Sequence, residues 1–485
     1  MTPDTAPQDT DAETLTRLLN AQRSAHLADG PPDLATRRDR LKRALALLMA
    51  NRDRFTQAIS DDFGERATET TLFADVVPSV TALKQALAQT GGWMKPERRP
   101  LQFPLGLLGA RAEVRPQPKG VVGLITPWNF PLTMVFVPLA QMLAAGNRVM
   151  IKPSEHTPRT SQLFKALFAD AFTPEEVAVT PGGVPTSQAF SAQPFDHLMF
   201  TGAPNVGKLI MAAASRNLTP VTLELGGKSP VVLGESADMA MAAERIATMK
   251  LLNAGQICLA PDYVTLAPGQ REAFVQAYEA KAAAMYPTLM ENGQYTSIIS
   301  PRHRERLEET LQDARDKGAD VRVINPAGET FTGQNKANKV PPALVLNPTD
   351  DMRIMQEEIF GPLLPVRTHD HVDAAVDHIN ARPRPLALYY FGNDKQEEDR
   401  VLARTTSGGV TVNDCLWHGG HETLPFGGVG NSGMGRYHGV DGFREFSHLR
   451  AVLRHPKRIS VGRLFGVVPP YGKRLQQTAK RLIGR

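Results

Sequence analysis

Three side chains in this 485-residue chain are of the types that acyl chemistry needs: a nucleophile, a base and an amide donor. Cys258 sits in Asn253-Ala254-Gly255-Gln256-Ile257-Cys258 and is one of only two cysteines. A thiol in a polar, glycine-containing stretch can ionise and attack. A lone cysteine is more often a small buried hydrophobe, and this segment by itself favours that role. Its company reverses the balance. Glu224, in Leu223-Glu224-Leu225-Gly226-Gly227-Lys228, ends an apolar run, where partial removal from water raises a carboxyl pKa toward that of a base. Asn129, in Pro127-Trp128-Asn129-Phe130-Pro131, offers an amide to a developing oxyanion. Cys415 has no such partners and reads as structural.

Two further segments have the chemistry of a nucleotide site. Phe200-Thr201-Gly202 precedes Gly207 by one turn between an apolar run and a helical pattern. Glycine there lets backbone approach a pyrophosphate, and a helix N-terminus adds amide donors and a positive dipole. The spacing departs from G-x-G-x-x-G, and a plain tight turn accounts for it equally well. Lys152-Pro153-Ser154-Glu155 follows another strand-like run; a lysine and a carboxylate there suit the hydroxyls of an adenosine ribose.

These residues need elements to position them. Val121–Ile125 is a continuous apolar run, as in a parallel strand buried on both faces. Helix 137–145 and strand 148–151 follow, then strand 197–201, helix 208–215 and strand 221–225. After Gly226-Gly227 the alternation restarts with strand 230–233, helix 239–252, strand 263–266 and helix 272–285. Such βαβ repetition implies doubly wound parallel sheets of the α/β class. The segment from Ala12 to about Gln89 is helical in pattern, and the first dozen residues read as disordered.

Composition is that of a globular chain of about three domains, at 42% hydrophobic and 22% charged residues. Two distant cysteines make no disulfide framework and suit a reducing, cytoplasmic setting. The histidines are scattered without ligand spacing, so no metal is expected. The formal charge of +5 is misleading: ten Lys/Arg and no acid follow Glu445, leaving the rest of the chain net negative. Nucleic-acid binding is therefore not expected. Lys473 to Arg485 reads as a short amphipathic helix that suits a membrane surface or a partner subunit.

Taken in order, Pro127–Pro131, Lys152–Glu155, Phe200–Gly202, Leu223–Lys228, Gly255-Gln256-x-Cys258 and Glu358-Ile359-Phe360-Gly361-Pro362 resemble the NAD(P)-dependent aldehyde dehydrogenase superfamily over nearly the whole chain. Ala260–Tyr263, Val412–Asp414, Pro425–Gly439, Phe443–His448 and Pro469–Tyr471 resemble its class 3 branch. Arg115–Pro118, Pro194–His197 and Asn217–Pro230 are most similar to bacterial coniferyl aldehyde dehydrogenases. One departure is Ala203, where the family often has a serine whose hydroxyl meets a phosphate.

The resemblance implies two doubly wound parallel-sheet domains and a small β oligomerisation element. It places the cofactor-binding domain at 12–110 and 119–226, the catalytic domain at 227–424, the oligomerisation element at 111–118 and 446–460, and a basic tail at 461–485. It implies that Cys258 attacks an aldehyde, Asn129 binds the oxyanion and Glu224 activates water against the resulting thioester. NAD, with NADP as an alternative, would lie against Trp128, Lys152, Glu155, Gly202, Gly207, Glu358 and Phe360. Glu357 and Glu358 are read as neighbours on a strand, so only one can face the site; the resemblance selects Glu358. A homodimer is implied. Coniferyl aldehyde is the expected substrate, with medium- or long-chain aliphatic aldehydes as the alternative. A CoA-acylating enzyme is disfavoured by Glu224, and a non-catalytic structural protein by the intact triad.

Overall fold

The computed structural model describes residues 9–103, 105–334 and 338–484. The disorder expected of the first dozen residues lies outside the described residues as far as residue 8. From Asp9 onward the chain is held: Asp9 accepts from Thr186 Oγ1 at 3.0 Å, Thr10 Oγ1 donates to the Pro181 carbonyl at 2.7 Å, and Asp11 caps helix Ala12–Asp29.

Three sheets organise the described residues. The first runs, in spatial order, Gly433–Met434, Val221–Leu225, His197–Gly202, Val121–Ile125, Arg148–Lys152, Val177–Val179. All its neighbours are parallel except the antiparallel edge strand Gly433–Met434. Every residue of Val121–Ile125 is buried, because helices cover both faces of this sheet. Helix Pro131–Ala145 is apolar all round and runs through the core. Proline opens it at the first turn and Gly146, at φ 91°, closes it.

The order of this sheet reverses between Val121–Ile125 and His197–Gly202, which are neighbours although their connections lead to opposite edges. A crevice opens beyond the carboxyl ends of strands at such a switch point. Trp128-Asn129 and Gly202-Ala203 emerge there side by side, with Lys152–Glu155 on the next strand.

The second sheet runs Asp320–Val323, Ala343–Leu346, Leu363–Thr368, Tyr263–Leu266, Pro230–Leu233, Ala387–Phe391, Gly409–Val412. It is parallel apart from Asp320–Val323. The third is a small antiparallel sheet of Glu97–Arg99, Arg111–Pro118 and Ser447–Arg454. The tail ends in helix Lys473–Ile483, none of whose side chains is buried.

Helix Pro204–Ser215 starts four residues before the expected 208. Pro204 sets the first helical φ, so the turn after Gly202 is shorter than the glycines suggest. The expected strand at Glu357-Glu358 is also corrected. Both follow the single helical turn Arg353–Gln356 in irregular backbone.

Candidate active site

Cys258 stands after an unusual backbone segment. Asn253, Ala254 and Gly255 all have left-handed φ values, of 52°, 51° and 74°. For the two non-glycine residues this costs about 1–2 kcal/mol each, so the surroundings must enforce it. They do so through Gln256, which is fully buried and fully bonded. Its amide donates to the carbonyls of Asn253 and Ser297, both at 3.0 Å, and accepts from Ile299 N–H at 3.0 Å. Gly255 is required as well, because a Cβ there would lie 2.2 Å from the Gly361 carbonyl oxygen. The Cys258 loop thus touches the loop that carries Glu358 and Phe360.

Glu224 lies near the end of strand Val221–Leu225 and is 1% exposed. Its carboxyl faces the Cys258 thiol, yet neither oxygen has a partner of hydrogen-bonding geometry. Burial pushes this carboxyl up to about 7, with the thiol acting in the opposite sense. Burial, followed by the charges of Glu224 and Glu358, pushes the Cys258 thiol well above its ordinary range. The pair therefore holds a proton on sulfur until a base takes it, and a carboxyl titrating near neutrality is matched to that task.

Asn129 is 3% exposed, and its side-chain amide donates one hydrogen to the Gln256 carbonyl at 3.1 Å. An amide carries two such hydrogens, which leaves one for another acceptor. The Asn129 main chain is fixed from below. Its carbonyl accepts from Arg66 Nη1 at 2.8 Å and from Asn253 Nδ2 at 3.3 Å. Arg66 is itself paired with Asp75 at 2.7 Å, both side chains being fully buried. Asp75 accepts the amides of Leu132 and Thr133, at 3.0 and 3.1 Å, at the start of helix Pro131–Ala145. None of Arg66, Asp75, Asn253 and Gln256 was singled out from sequence as a site residue.

Glu358 is turned inward and Glu357 outward. The Glu358 carboxyl rests on Gly226, where an added Cβ would meet Oε2 at 2.0 Å. Burial and then the Asp262 charge push it up to about 8. Its loop is anchored by Lys228, which bonds Asp262 and the carbonyls of Ile354 and Glu357 at 2.7 and 2.9 Å. Asp262 in turn accepts from Ile359 N–H at 2.9 Å. The lysine of the Gly-Gly-Lys segment is thus a strut for the Glu358 loop.

The crevice between strands 121–125 and 197–202 collects the remaining candidates. Lys152 Nζ meets Glu155 Oε2 at 2.8 Å. Burial pushes the Glu155 carboxyl up, but the Lys152 charge and its hydrogen bond outweigh that and hold it below the usual range. Trp128 stands edge-on to Phe360, with ring centroids 5.4 Å apart, and edge-on to His303 at the same separation. Gly207 lies inside helix Pro204–Ser215 and packs so tightly on Leu225 that a Cβ would come within 2.6 Å of Cδ2, so it sets the helix-to-strand distance.

The crevice fits a dinucleotide. Helix Pro204–Ser215 has no side-chain cap at Ala203; Pro204 has no N–H and the Val206 amide donates to Asn205 Oδ1 at 3.0 Å, which leaves the Asn205 amide open to an anion. A buried Glu358 oxygen without a partner faces the same region and suits a ribose hydroxyl.

Comparison with known proteins agrees with this geometry. A family model described as aldehyde dehydrogenase family matches residues 5–452. A Caulobacter vibrioides protein named "Probable coniferyl aldehyde dehydrogenase" is 54% identical over 95% of each chain. The "Coniferyl aldehyde dehydrogenase" of a Pseudomonas strain is 51% identical over 91% of each. Among solved structures, Staphylococcus aureus AldH in a substrate-bound state superposes with a TM-score of 0.88 at 33% identity, over 96% of this chain and 99% of that one. A Mycobacterium tuberculosis aldehyde dehydrogenase complexed with NAD+ gives 0.82 at 26% identity, over 93% and 92%.

Proposed function

The chain belongs to the aldehyde dehydrogenase family, and from that premise we propose that its substrate is coniferyl aldehyde or a closely related aromatic propenal. As a family member it oxidises a small-molecule aldehyde to the carboxylic acid with NAD(P). The substrate reading is supported by the names of relatives about half identical over nearly the whole length. It is also supported by the partly exposed pair Phe73 and Trp417, edge-on with centroids 6.2 Å apart, since flat side chains suit a conjugated ring. A panel of coniferyl aldehyde, cinnamaldehyde and hexanal, run with each cofactor, tests it. Higher kcat/KM for hexanal would favour the aliphatic alternative.

The geometry supports the following roles. The Cys258 proton passes to Glu224 and Sγ bonds to the aldehyde carbon. The oxyanion takes hydrogen bonds from the free Asn129 amide hydrogen and the Cys258 main-chain N–H. What NAD(P) supplies when bound is the acceptor for the hydride that leaves that carbon. Gly202 and the open Asn205 amide would hold its pyrophosphate, Lys152 and Glu155 the adenosine ribose, Glu358 the other ribose, and Trp128 and Phe360 would flank the ring. The carbon remains on Sγ as a thioester. Glu224 gives the thiol proton up to solvent and then takes a proton from water as the water oxygen attacks the thioester; the C–S bond breaks, the carboxylic acid departs and the proton on Glu224 returns to Sγ.

The observation that carries this reading is a buried, unpartnered carboxyl titrating near 7 and facing a thiol. Cys258→Ala is expected to abolish turnover. Glu224→Gln is expected to slow acyl-enzyme hydrolysis more than hydride transfer, so that a slower pre-steady-state burst of NADH precedes a still slower steady state. Absence of a burst with an unchanged steady state removes Glu224 from deacylation. A CoA requirement for NADH formation would instead favour thioester release to CoA.

For the assembly we infer a homodimer. Strand Ser447–Arg454 exposes Leu449 and Leu453 on the small antiparallel sheet, which a partner would cover. Light scattering tests this. Helix Lys473–Ile483 carries Leu475, Ala479 and Leu482 along one side and four cations elsewhere. Such a helix suits the partner or an anionic membrane surface; co-sedimentation with anionic liposomes, with and without residues 473–485, separates the two. No described helix is long and apolar enough to cross a membrane. Two free cysteines suit a reducing cytoplasm.

A further inference from the structure

We propose that Glu422, with Gln85 and His438, forms a subsite that binds a hydroxyl group on the substrate at the end remote from the aldehyde. The inference rests on the aromatic-aldehyde reading and names which part of such a substrate the protein recognises.

The loop after Cys415 folds directly onto the nucleophile segment. Gly419 lies so close to Leu259, the residue after Cys258, that a Cβ would fall 2.4 Å from its Cδ1 and 3.3 Å from the Phe426 ring. Phe426 stacks on His438 with centroids 5.2 Å apart, and Tyr437 stands edge-on to His438 at 4.8 Å. The Tyr437 phenol is pushed up first by burial and then by the charges of Glu224, Cys258 and Glu422. Phe426, Tyr437 and His438 thus pack on one another and join the segment after Cys258 to the Glu422 loop.

Beside these rings polar atoms lack partners. Glu422 is 8% exposed and its buried Oε2 has none. His438 is buried, and its Nδ1 has none. Gln85, from helix Val77–Trp93, donates Nε2 to the Glu422 main-chain carbonyl at 3.2 Å and leaves a buried Oε1 unpaired. An added Cβ on Gly439 would meet that Glu422 carbonyl at 2.4 Å and Gln85 Oε1 at 3.3 Å, so these groups share one small space. Buried polar atoms without partners are costly, and a cluster of them beside an active site points to a ligand that supplies them.

The chemistry of the cluster selects the ligand. A carboxylate, an amide oxygen and an imidazole nitrogen present mainly acceptors, so the matching group is a donor. A phenolic hydroxyl across an aromatic ring from a propenal chain is such a donor, and the rings of Phe426 and Tyr437 suit its flat body. Burial pushes Glu422 up to about 7, with the Gly439 amide opposing, so at mildly alkaline pH it is the charged acceptor such a hydroxyl favours.

The test compares kcat/KM for para-hydroxycinnamaldehyde and cinnamaldehyde in the wild-type enzyme, Glu422→Gln and Glu422→Leu. The wild type is expected to favour the hydroxylated compound. Glu422→Leu should lower that ratio about tenfold to a hundredfold, the range for a hydrogen bond to a charged group. Glu422→Gln keeps the shape and an acceptor and should fall between them. A ratio unmoved in both variants overturns the subsite while leaving the aromatic reading intact. A wild type that prefers hexanal to both aromatic aldehydes overturns the aromatic reading and the subsite with it.

Discussion

Arg66 and Asn129 are joined by a buried hydrogen bond of 2.8 Å, from the guanidinium Nη1 to the main-chain carbonyl. The same guanidinium holds Asp75, which caps the helix that begins two residues after Asn129. One ion pair therefore fixes the segment on both sides of the Asn129 amide. The neighbouring rings of Phe63 and Phe130, each centred 5.1 Å from the guanidinium, complete its enclosure.

Removing the guanidinium leaves Asp75 as an uncompensated buried charge. Arg66→Met is expected to cost about 3–5 kcal/mol of stability, read as a lower Tm. Turnover should fall as well. Combining it with Asn129→Ala should cost little more activity than Asn129→Ala alone. Losses that multiply would show that Arg66 does not act through Asn129.

Glu224 gives two pH signatures of opposite sense. As a base it acts when ionised, so the deacylation rate should rise with pH through about 7. Its folded pKa lies above its unfolded value, so the native state binds the proton more tightly. The stability this contributes is full below about 4.5 and is lost as pH rises through about 7. Glu224→Gln has no such loss. The Tm of the variant relative to wild type should increase between pH 5 and pH 8; a constant difference would contradict the raised pKa.

Gly255 offers a backbone test. Alanine there must adopt φ near 74° and place its Cβ against the Gly361 carbonyl. Gly255→Ala should cost about 2 kcal/mol or more and weaken NADH binding, because it pushes the nucleophile loop off the loop bearing Glu358. Fluorescence titration with NADH reads the second effect. Gly269→Ala, where a Cβ meets nothing within 4 Å, is the neutral control.

Glu155 is held ionised by Lys152. A carboxylate beside the adenosine ribose would repel a 2′-phosphate. Glu155→Gln is expected to raise kcat/KM with NADP relative to NAD by about tenfold, the worth of one modest charge interaction. An unchanged ratio would place the ribose elsewhere.

Much of this was legible in the sequence, for identifiable reasons. Cys258, Glu224 and Asn129 stood out because each pairs a reactive group with a local glycine or apolar context. The strands of the first sheet stood out as uninterrupted apolar runs. Arg66, Asp75 and Glu422 did not. Arg66 is 63 residues from the carbonyl it holds, and no spacing rule links them. Glu422 lies in a polar loop and gains meaning only when helix Val77–Trp93 brings Gln85 to it. Glu357 and Glu358 were misread as a strand because an apolar aromatic run follows them. Their opposite orientations come instead from a loop tethered by Lys228 and Asp262. Val177–Val179 escaped notice because three residues are too few to show a period.

The pairing of Gly433 with Glu224 has a consequence for synthesis of the chain. The strand that carries Glu224 is at the edge of its sheet until the last ninth of the sequence arrives. At ordinary elongation rates the ribosome needs about ten to forty seconds to add the intervening residues. Throughout that interval Val221–Leu225 presents open backbone donors and acceptors on an apolar strand, a template for wrong partners. Truncation before Gly433 would make that exposure permanent, so nascent chains stalled in this window should be the species that chaperones retain.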